Sequence, residues 1–301
     1  MSLEGIWAAM PTPFRDNGAL DPVGIAANAR HCRDALGLTG VFCHGLMGEG
    51  WSLTFDERRA ALEALLDGAA GGLKVGVVVN HHALGETIAL ARHAAGLGAH
   101  HVVLMRPTGL FGPFEHLAYA RAVSDAAACP VVLFDSEVAG WTVETILALA
   151  REGRLIGVKC TRDADATVAL RAALGDAVQV CDPYEGHYLG NLLRFGARTL
   201  YADPEPFLFQ TATWRAIATM LAACDDGDIG KAGRAFMALE PRRRVYDEWI
   251  LRPLRAGQAP CAALKHWCTR MGMAAGPVRA PLHALEPDAA RRLDSALDAV
   301  L

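Results

Sequence analysis

"RLIGVKCTRDADATVALRAAL", residues 154–174, carries one unit of the repeat on which the fold rests. Leu155–Cys160 is a short, nearly continuous apolar run. It is too short for an independent helix and reads as a strand buried on both faces. From Asp163 to Leu174 the apolar residues return with helical spacing. Lys159 interrupts the end of the strand. Only four of the 29 Lys and Arg residues are lysines, at 74, 159, 231 and 265. A chain that avoids lysine has therefore placed one inside an apolar core pattern.

The same strand-then-helix unit recurs on either side. Strands are expected at Ile6–Met10, Gly40–His44, Val75–Asn80, His101–Arg106, Val131–Asp135, Leu155–Cys160, Val178–Asp182 and Thr199–Ala202. Helices are expected at Phe55–Gly68, Glu86–Gly98, Phe114–Ala128, Val143–Glu152, Asp163–Leu174 and Tyr188–Phe195. The first of these helices has Thr54 as N-cap and Glu57 three residues on, a capping box. Such units over about 220 residues predict a (β/α)8 TIM barrel. An open doubly wound sheet is the alternative, and its dinucleotide form lacks the G-x-G-x-x-G that should follow the first strand. Phe207–Ala223 reads as the closing helix, and "CDDGD" (224–228) then breaks the pattern. Helices near Ile229–Arg255, Pro260–Met273 and Pro287–Leu301 follow. The expected division is a barrel over 1–224 and a C-terminal helical bundle over 225–301.

Composition narrows the function classes. The 301 residues are 52% apolar and 21% charged, with a formal net charge of −4. No basic block is present, which argues against a nucleic-acid or anionic-membrane surface. Eight cysteines, none spaced C-x-x-C, indicate neither a zinc ribbon nor a redox pair. They read as reduced thiols in a cytoplasmic protein. The opening "MSLEGIWAAMPTPF" has no basic region and too short an apolar run for a signal peptide. No stretch approaches the ~18 uncharged apolar residues of a membrane helix.

Lys159 stands at the C-terminal end of the sixth strand, the end that carries chemistry in such barrels. Burial disfavours an ammonium ion, and enzymes tune such lysines to roughly 7–8, where the free amine is nucleophilic. That is the requirement for a Schiff base with a carbonyl substrate. The structural alternative is a lysine that snorkels outward or pairs with a carboxylate such as Asp163.

Four stretches decide between them: "AMPTPFRDNGALD" (9–21), "GLMGEGWSLTFDER" (45–58), "LIGVKCTRD" (155–163) and "ALKHWCTRMGMAAGPVRAPLHAL" (263–285). In this order and spacing they resemble the dihydrodipicolinate synthase / N-acetylneuraminate lyase family of class I aldolases and dehydratases. The resemblance spans the chain from Gly5 to the last helix. It implies a (β/α)8 barrel with a C-terminal helical bundle, a homo-oligomer (tetramer or dimer), and Lys159 as the Schiff-base lysine. It implies no cofactor, because the protonated imine is the electron sink.

The chain departs from the family at the hydroxyl relay. After the second strand the family has a glycine, two hydroxyl residues and Gly-Glu. Here Leu46 and Met47 replace the hydroxyls between Gly45 and Gly48-Glu49. Their amides can still form an anion nest, and Glu49 is expected to bond loop amides. After the fifth strand Phe134 stands in place of the family's proton-moving tyrosine. A few residues on, Glu137 and Val138 stand where the family has an arginine for a second substrate carboxylate. Pro107, Thr108 and Gly109 replace Pro-Tyr-Tyr. A genuine dihydrodipicolinate synthase is therefore not expected.

Replacement groups are sought at the strand ends. Tyr201, and Tyr184 in reserve, are candidate proton-transfer groups, or else fillers of the barrel mouth. Asn80 and His81 are candidate substrate contacts, while His81 and His82 alternatively cap the next helix. His44 shares a strand face with Leu46 by the period of two, or is a satisfied core histidine. Asp135 and Glu137 either supply carboxylates or face solvent, and Cys160 should point outward into the core. The expected function is a Schiff-base lyase, aldolase or dehydratase, on a small 2-oxo acid or sugar acid. The other reading is a non-catalytic ligand-binding member that persists as an oligomeric scaffold.

Overall fold

A computed structural model describes residues 2–107, 112–136, 140–202 and 205–301. Eight strands follow in chain order: β1 Gly5–Ala9, β2 Gly40–Cys43, β3 Lys74–Val78, β4 His101–Met105, β5 Val131–Asp135, β6 Leu155–Cys160, β7 Gln179–Cys181 and β8 Thr199–Tyr201. All neighbours pair in parallel, in the order β7-β6-β5-β4-β3-β2-β1-β8. The two end strands meet at a seam where Gln179 Oε1 accepts from the Leu3 amide (2.9 Å) and from Thr199 Oγ1 (3.4 Å). The sheet is thus a nearly closed TIM barrel. Each expected strand is present, with ends displaced by one or two residues, because runs buried on both faces leave little else for those residues to do.

The helices are α1 Pro22–Arg30, α2 Phe55–Ala69, α3 Leu84–Gly96, α4 Pro113–Ala127, α5 Val143–Arg151, α6 Ala164–Leu174 and α7 Glu185–Phe195 around the barrel. Helix α2 opens with the expected capping box: Thr54 Oγ1 accepts from Glu57 N at 3.2 Å, and Glu57 Oε2 from Thr54 N at 3.0 Å. Helix α1 went unread in the sequence. Its marks are Asp21 before the helix and Pro22 in its first turn, where a missing N–H costs nothing.

After β8 come α8 Pro206–Phe209 and α9 Ala216–Asp225, which close the barrel, and then α10 Ile229–Ala238, α11 Glu240–Tyr246, α12 Arg252–Arg255, α13 Cys261–Arg270 and α14 Pro287–Asp298. Two expected single helices are therefore broken. Phe207–Ala223 is split by a turn in which Thr211 Oγ1 accepts from Trp214 N. Ile229–Arg255 is interrupted at Leu239, two residues before Pro241, which sits in the first turn of the next helix, and then winds through a π-helical segment, Asp247–Leu251, directly into Arg252–Arg255. Among the described residues no helix is long and apolar enough to cross a membrane.

The barrel is filled by an aromatic column. Trp7 of β1 stacks on Tyr201 of β8 (centroids 5.4 Å), and Tyr201 stacks on Phe42 of β2 (4.5 Å, 15°). Gly40 makes room for the Trp7 indole and Gly76 for the His101 imidazole. A Cβ at either would lie within 2.4 Å of the ring it faces. The column forms the floor on which the upper end of the barrel rests.

Candidate active site

Lys159 rises from β6 opposite Phe134 of β5 and Cys181 of β7 in the strand register. Its side chain lies inside the barrel and the residue is only 5% exposed. Nζ stands 5.2 Å from the Phe42 ring centroid and 5.5 Å from that of Phe134. Cys160, the next residue, points out of the barrel, where it accepts from Thr167 Oγ1 of α6. Asp163, the alternative partner for the lysine, caps α6 by accepting from Ala166 N at 2.7 Å.

The loop after β2 curls over this end of the barrel. His44 (φ 64°) and Glu49 (φ 50°) both adopt left-handed backbone. Within the loop, Gly48 and Gly50 donate to Gly45 O, and Glu49 to Leu46 O. No protein carbonyl meets the Leu46 or Met47 N–H among the described residues. Leu46 is 45% exposed and Met47 is buried. The loop is anchored from below and behind. Thr12 Oγ1 donates to Gly48 O at 2.5 Å, and Cys261 Sγ reaches Leu46 O at 3.5 Å. Glu49, fully buried, pairs with Lys265 of α13 (2.6 Å) and accepts from Arg279 N (3.0 Å). Lys265 Nζ also donates to Pro277 O at 2.8 Å. Arg279 clasps Glu57 and donates to Gly18 O and Ser52 O. The C-terminal "GPVRAPL" element is thus the brace of the β2 loop. Glu49 does what the sequence led us to expect, with Lys265 as an unforeseen partner.

Several candidate residues sit differently from expectation. Tyr201 does lie inside the barrel, but its hydroxyl is bound to His101 Nε2 at 2.7 Å, at the start of β4. His101 in turn meets His100, Nδ1 to Nδ1, at 3.0 Å. This is the floor, not the mouth. Burial raises the phenol well above its ordinary range. The expectation that Tyr201 offers its proton at the mouth is corrected accordingly. His44 and Leu46 do not share a strand face, because β2 ends at Cys43 and the backbone turns left-handed at His44. The His44 imidazole is buried without a well-formed hydrogen bond. Burial, followed by the Arg58 charge, lowers it to about 3. Asn80 is occupied by the backbone of β4, its Nδ2 donating to Met105 O (2.7 Å) and its Oδ1 accepting from Met105 N (2.6 Å). Its expected substrate contact gives way to a strand-to-strand bridge. His81 Nδ1 accepts from Ala83 N ahead of α3, the capping alternative. Asp135 is buried on Arg162 (2.7 Å) and accepts from Trp141 N (2.7 Å). Glu137, Val138, Thr108 and Gly109 lie outside the described residues.

At the end of β7, Tyr184 precedes α7, and its ring meets His187 edge-on at 5.7 Å. His187 Nδ1 bonds Asp182 at 2.9 Å, and Asn191 Nδ2 bonds the same carboxylate at 3.1 Å. The Asp182 bond raises His187. Burial pushes Asp182 upward, but its hydrogen bonds hold the carboxyl below its ordinary value. Neighbouring Glu185 is fully buried and gripped by Arg243 (2.5 and 3.0 Å), so it is structural. Sequence reading missed the His187–Asp182 pair, whose signal is the "D-x-x-x-x-H" spacing across the strand-to-helix turn. It also missed Phe42, which the strand period places on the inward face.

A parallel barrel with a buried primary amine at the C-terminal end of a strand is the class that fold and site define. Within that class, residues 2–300 match the Dihydrodipicolinate synthetase family, and the chain belongs to it. A 4-hydroxy-tetrahydrodipicolinate synthase of Hyphomonas neptunium is 31% identical over 304 residues, covering 96% of this chain and 95% of that one. An N-acetylneuraminate lyase of Rhizobium meliloti is 30% identical over 182 residues, 59% of this chain and 60% of that one. Among solved structures, dihydrodipicolinate synthase from Aquifex aeolicus superposes with a TM-score of 0.83 at 21% identity, covering 98% and 97% of the two chains. The Ruminococcus gnavus sialic acid aldolase gives 0.78 at 20% identity, covering 99% of each. At these identities the structural likeness speaks for the fold.

Proposed function

We propose that the chain is a Schiff-base-forming lyase, an aldolase or dehydratase acting on a small 2-oxo acid, and not a 4-hydroxy-tetrahydrodipicolinate synthase. The observation that carries this reading is the position of Lys159, buried in the barrel at the C-terminal end of β6 between Phe42 and Phe134. An amine there is shielded from water and placed where barrel enzymes do chemistry. The amides of Leu46 and Met47, which meet no protein carbonyl among the described residues, would receive the substrate carboxylate as a backbone nest.

The relatives' names divide between synthase and lyase, and the residues around Lys159 favour the lyase. Phe134 offers no proton beside the amine, and Tyr201 spends its hydroxyl on His101. Tyr184, at the end of β7, is the proton-transfer group we assign. The apolar side chains of Leu46, Phe42 and Phe134 suit a neutral or sugar-derived tail better than a second carboxylate. No metal or organic cofactor enters this reading, since the protonated imine takes up the electron pair of the broken bond. We further propose a cytoplasmic homo-oligomer, tetramer or dimer, with no nucleic-acid or membrane partner.

Borohydride trapping with pyruvate and longer 2-oxo acids, read by intact mass, tests the proposal. The expected result is one reduced-imine adduct on the wild type, the substrate mass less one oxygen, and none on Lys159→Ala. An adduct that survives in Lys159→Ala refutes the lysine assignment. The same experiment decides the second reading, a ligand-binding member without catalysis, which Phe134 and the withdrawn Tyr201 favour. That reading gains if a broad panel leaves the wild type unmodified.

A further inference from the structure

Lys159 Nζ lies within cation–π range of two phenyl faces, 5.2 Å from the Phe42 centroid and 5.5 Å from that of Phe134. Phe42 has its other side stacked on Tyr201 at 4.5 Å, and Tyr201 is fixed in turn by His101 and Trp7, so the Phe42 ring cannot turn its face away without breaking that stack. Phe134 is opposite Lys159 in the β5–β6 register, and its backbone carbonyl accepts from Trp141 Nε1 at 3.1 Å, which fixes where the side chain starts from. The benzene quadrupole presents negative charge density on the face, so a cation between two such faces is favoured in a buried site.

We propose that Phe42 and Phe134 act as a two-ring electrostatic clamp that stabilises the iminium cation formed at Lys159. The inference rests on the imine reading of the lysine. In that step the neutral amine adds to C2 of the 2-oxo acid. The resulting carbinolamine takes up one proton and expels one water, leaving a C=N bond with a positive nitrogen. When a bond from C3 to a proton or a carbon fragment then breaks heterolytically, its electron pair forms the C2=C3 bond and the C=N π pair passes to nitrogen. The fragment leaves as the proton or, with loss of its hydroxyl proton, as a carbonyl compound, and the cation becomes a neutral enamine. A clamp on the cation therefore favours the imine as resting species. It supplies by ring quadrupoles part of what hydroxyl groups supply in a site that has them.

The test grades the quadrupole without changing shape. Phe42→monofluorophenylalanine and Phe42→trifluorophenylalanine, and the same pair at Phe134, are compared for trapping of pyruvate at subsaturating concentration. The expected result is a stepwise fall in the apparent imine formation constant with fluorine number. Each ring neutralised should cost roughly two- to thirtyfold. Phe42→Leu and Phe134→Leu should match or exceed the trifluoro variants. Because fluorination preserves packing, a ring that merely fills space would give no gradient. Trapping in all variants with an unchanged constant overturns the clamp and leaves the imine reading intact. A wild type that yields no adduct with pyruvate or any longer 2-oxo acid overturns the imine reading, and the iminium role falls with it.

Discussion

The Lys265–Glu49 pair makes the β2 loop dependent on the C-terminal region, and the dependence is measurable. Lys265→Met keeps the aliphatic length but removes the ammonium that Glu49 meets at 2.6 Å. Glu49 is fully buried, and its remaining described anchor is the Arg279 amide at 3.0 Å. Removing one partner of a buried pair leaves an uncompensated charge and typically costs about 3–5 kcal/mol. Pro277 O also loses its donor at 2.8 Å, which adds about 1 kcal/mol. Glu49→Gln alone should cost less, since the amide still accepts from Arg279 N. The double variant should recover at least ~2 kcal/mol relative to the sum of the singles, because the stranded charge is gone. Equilibrium urea unfolding of the four proteins gives the coupling. Single variants that each cost under about 1 kcal/mol, with an additive double, would refute the reasoning.

Three further outcomes are expected. Tyr201→Phe removes the hydroxyl that meets His101 Nε2 in the barrel floor; it should cost about 1–3 kcal/mol in urea unfolding while borohydride trapping at Lys159 stays within twofold, and a lost adduct would contradict the floor assignment. Asn80→Ala strands both polar groups of Met105; it should destabilise by a similar ~1–3 kcal/mol, and an unchanged urea midpoint would show the bridge to be idle. The His187–Asp182 pair raises His187 and lowers Asp182, so the histidine's contribution is complete below its unfolded value near ~6.5 and fades as pH rises through the raised folded value. The carboxylate's contribution is present above its unfolded value near ~3.9 and fades on acidification; His187→Gln should therefore flatten the stability-versus-pH curve on its alkaline side, and an unaltered curve would show that the pair does not titrate with folding.

The barrel was legible because a strand buried on both faces has a simple signature. "LIGVKC" and "VVLFD" are apolar without alternation, and nothing but a covered parallel sheet uses such runs in series. What the sequence concealed is where helices divide and where strands stop bearing β geometry. Helix α1 is short and weakly amphipathic, so its Asp21-Pro22 start had to be weighed without a strong apolar stripe behind it. The Ile229–Arg255 stretch keeps helical spacing across a break at Leu239, marked only by Pro241, and across a π-helical widening at Asp247–Leu251. His44 left the strand through a positive φ, a conformation that a non-glycine residue does not announce.

The site was legible in direction and not in depth. Tyr201 lies inside the barrel, but its place at the end of a strand could not say which way a long side chain turns. That is settled by a partner a hundred residues away, His101, admitted by the absence of a side chain at Gly76. Asn80 is the same case: a polar residue at a strand end suggests a pocket, but the backbone of the next strand claimed it first. The two buried lysines make the point most sharply. Burial alone does not distinguish them, since Lys265 is as deeply enclosed as Lys159. Lys265 ends on Glu49 and Pro277 O, between a helix and a loop, and its positive charge is built into the brace. Lys159 projects toward two aromatic faces at the end of a barrel strand, and among the described residues no protein carbonyl meets the Leu46 or Met47 amide of the β2 loop at that same end. The surroundings of the first explain why an ammonium is needed for folding. Those of the second leave its amine at the end of a barrel strand facing two aromatic rings, apart from that brace, and this difference separates a structural lysine from a chemical one.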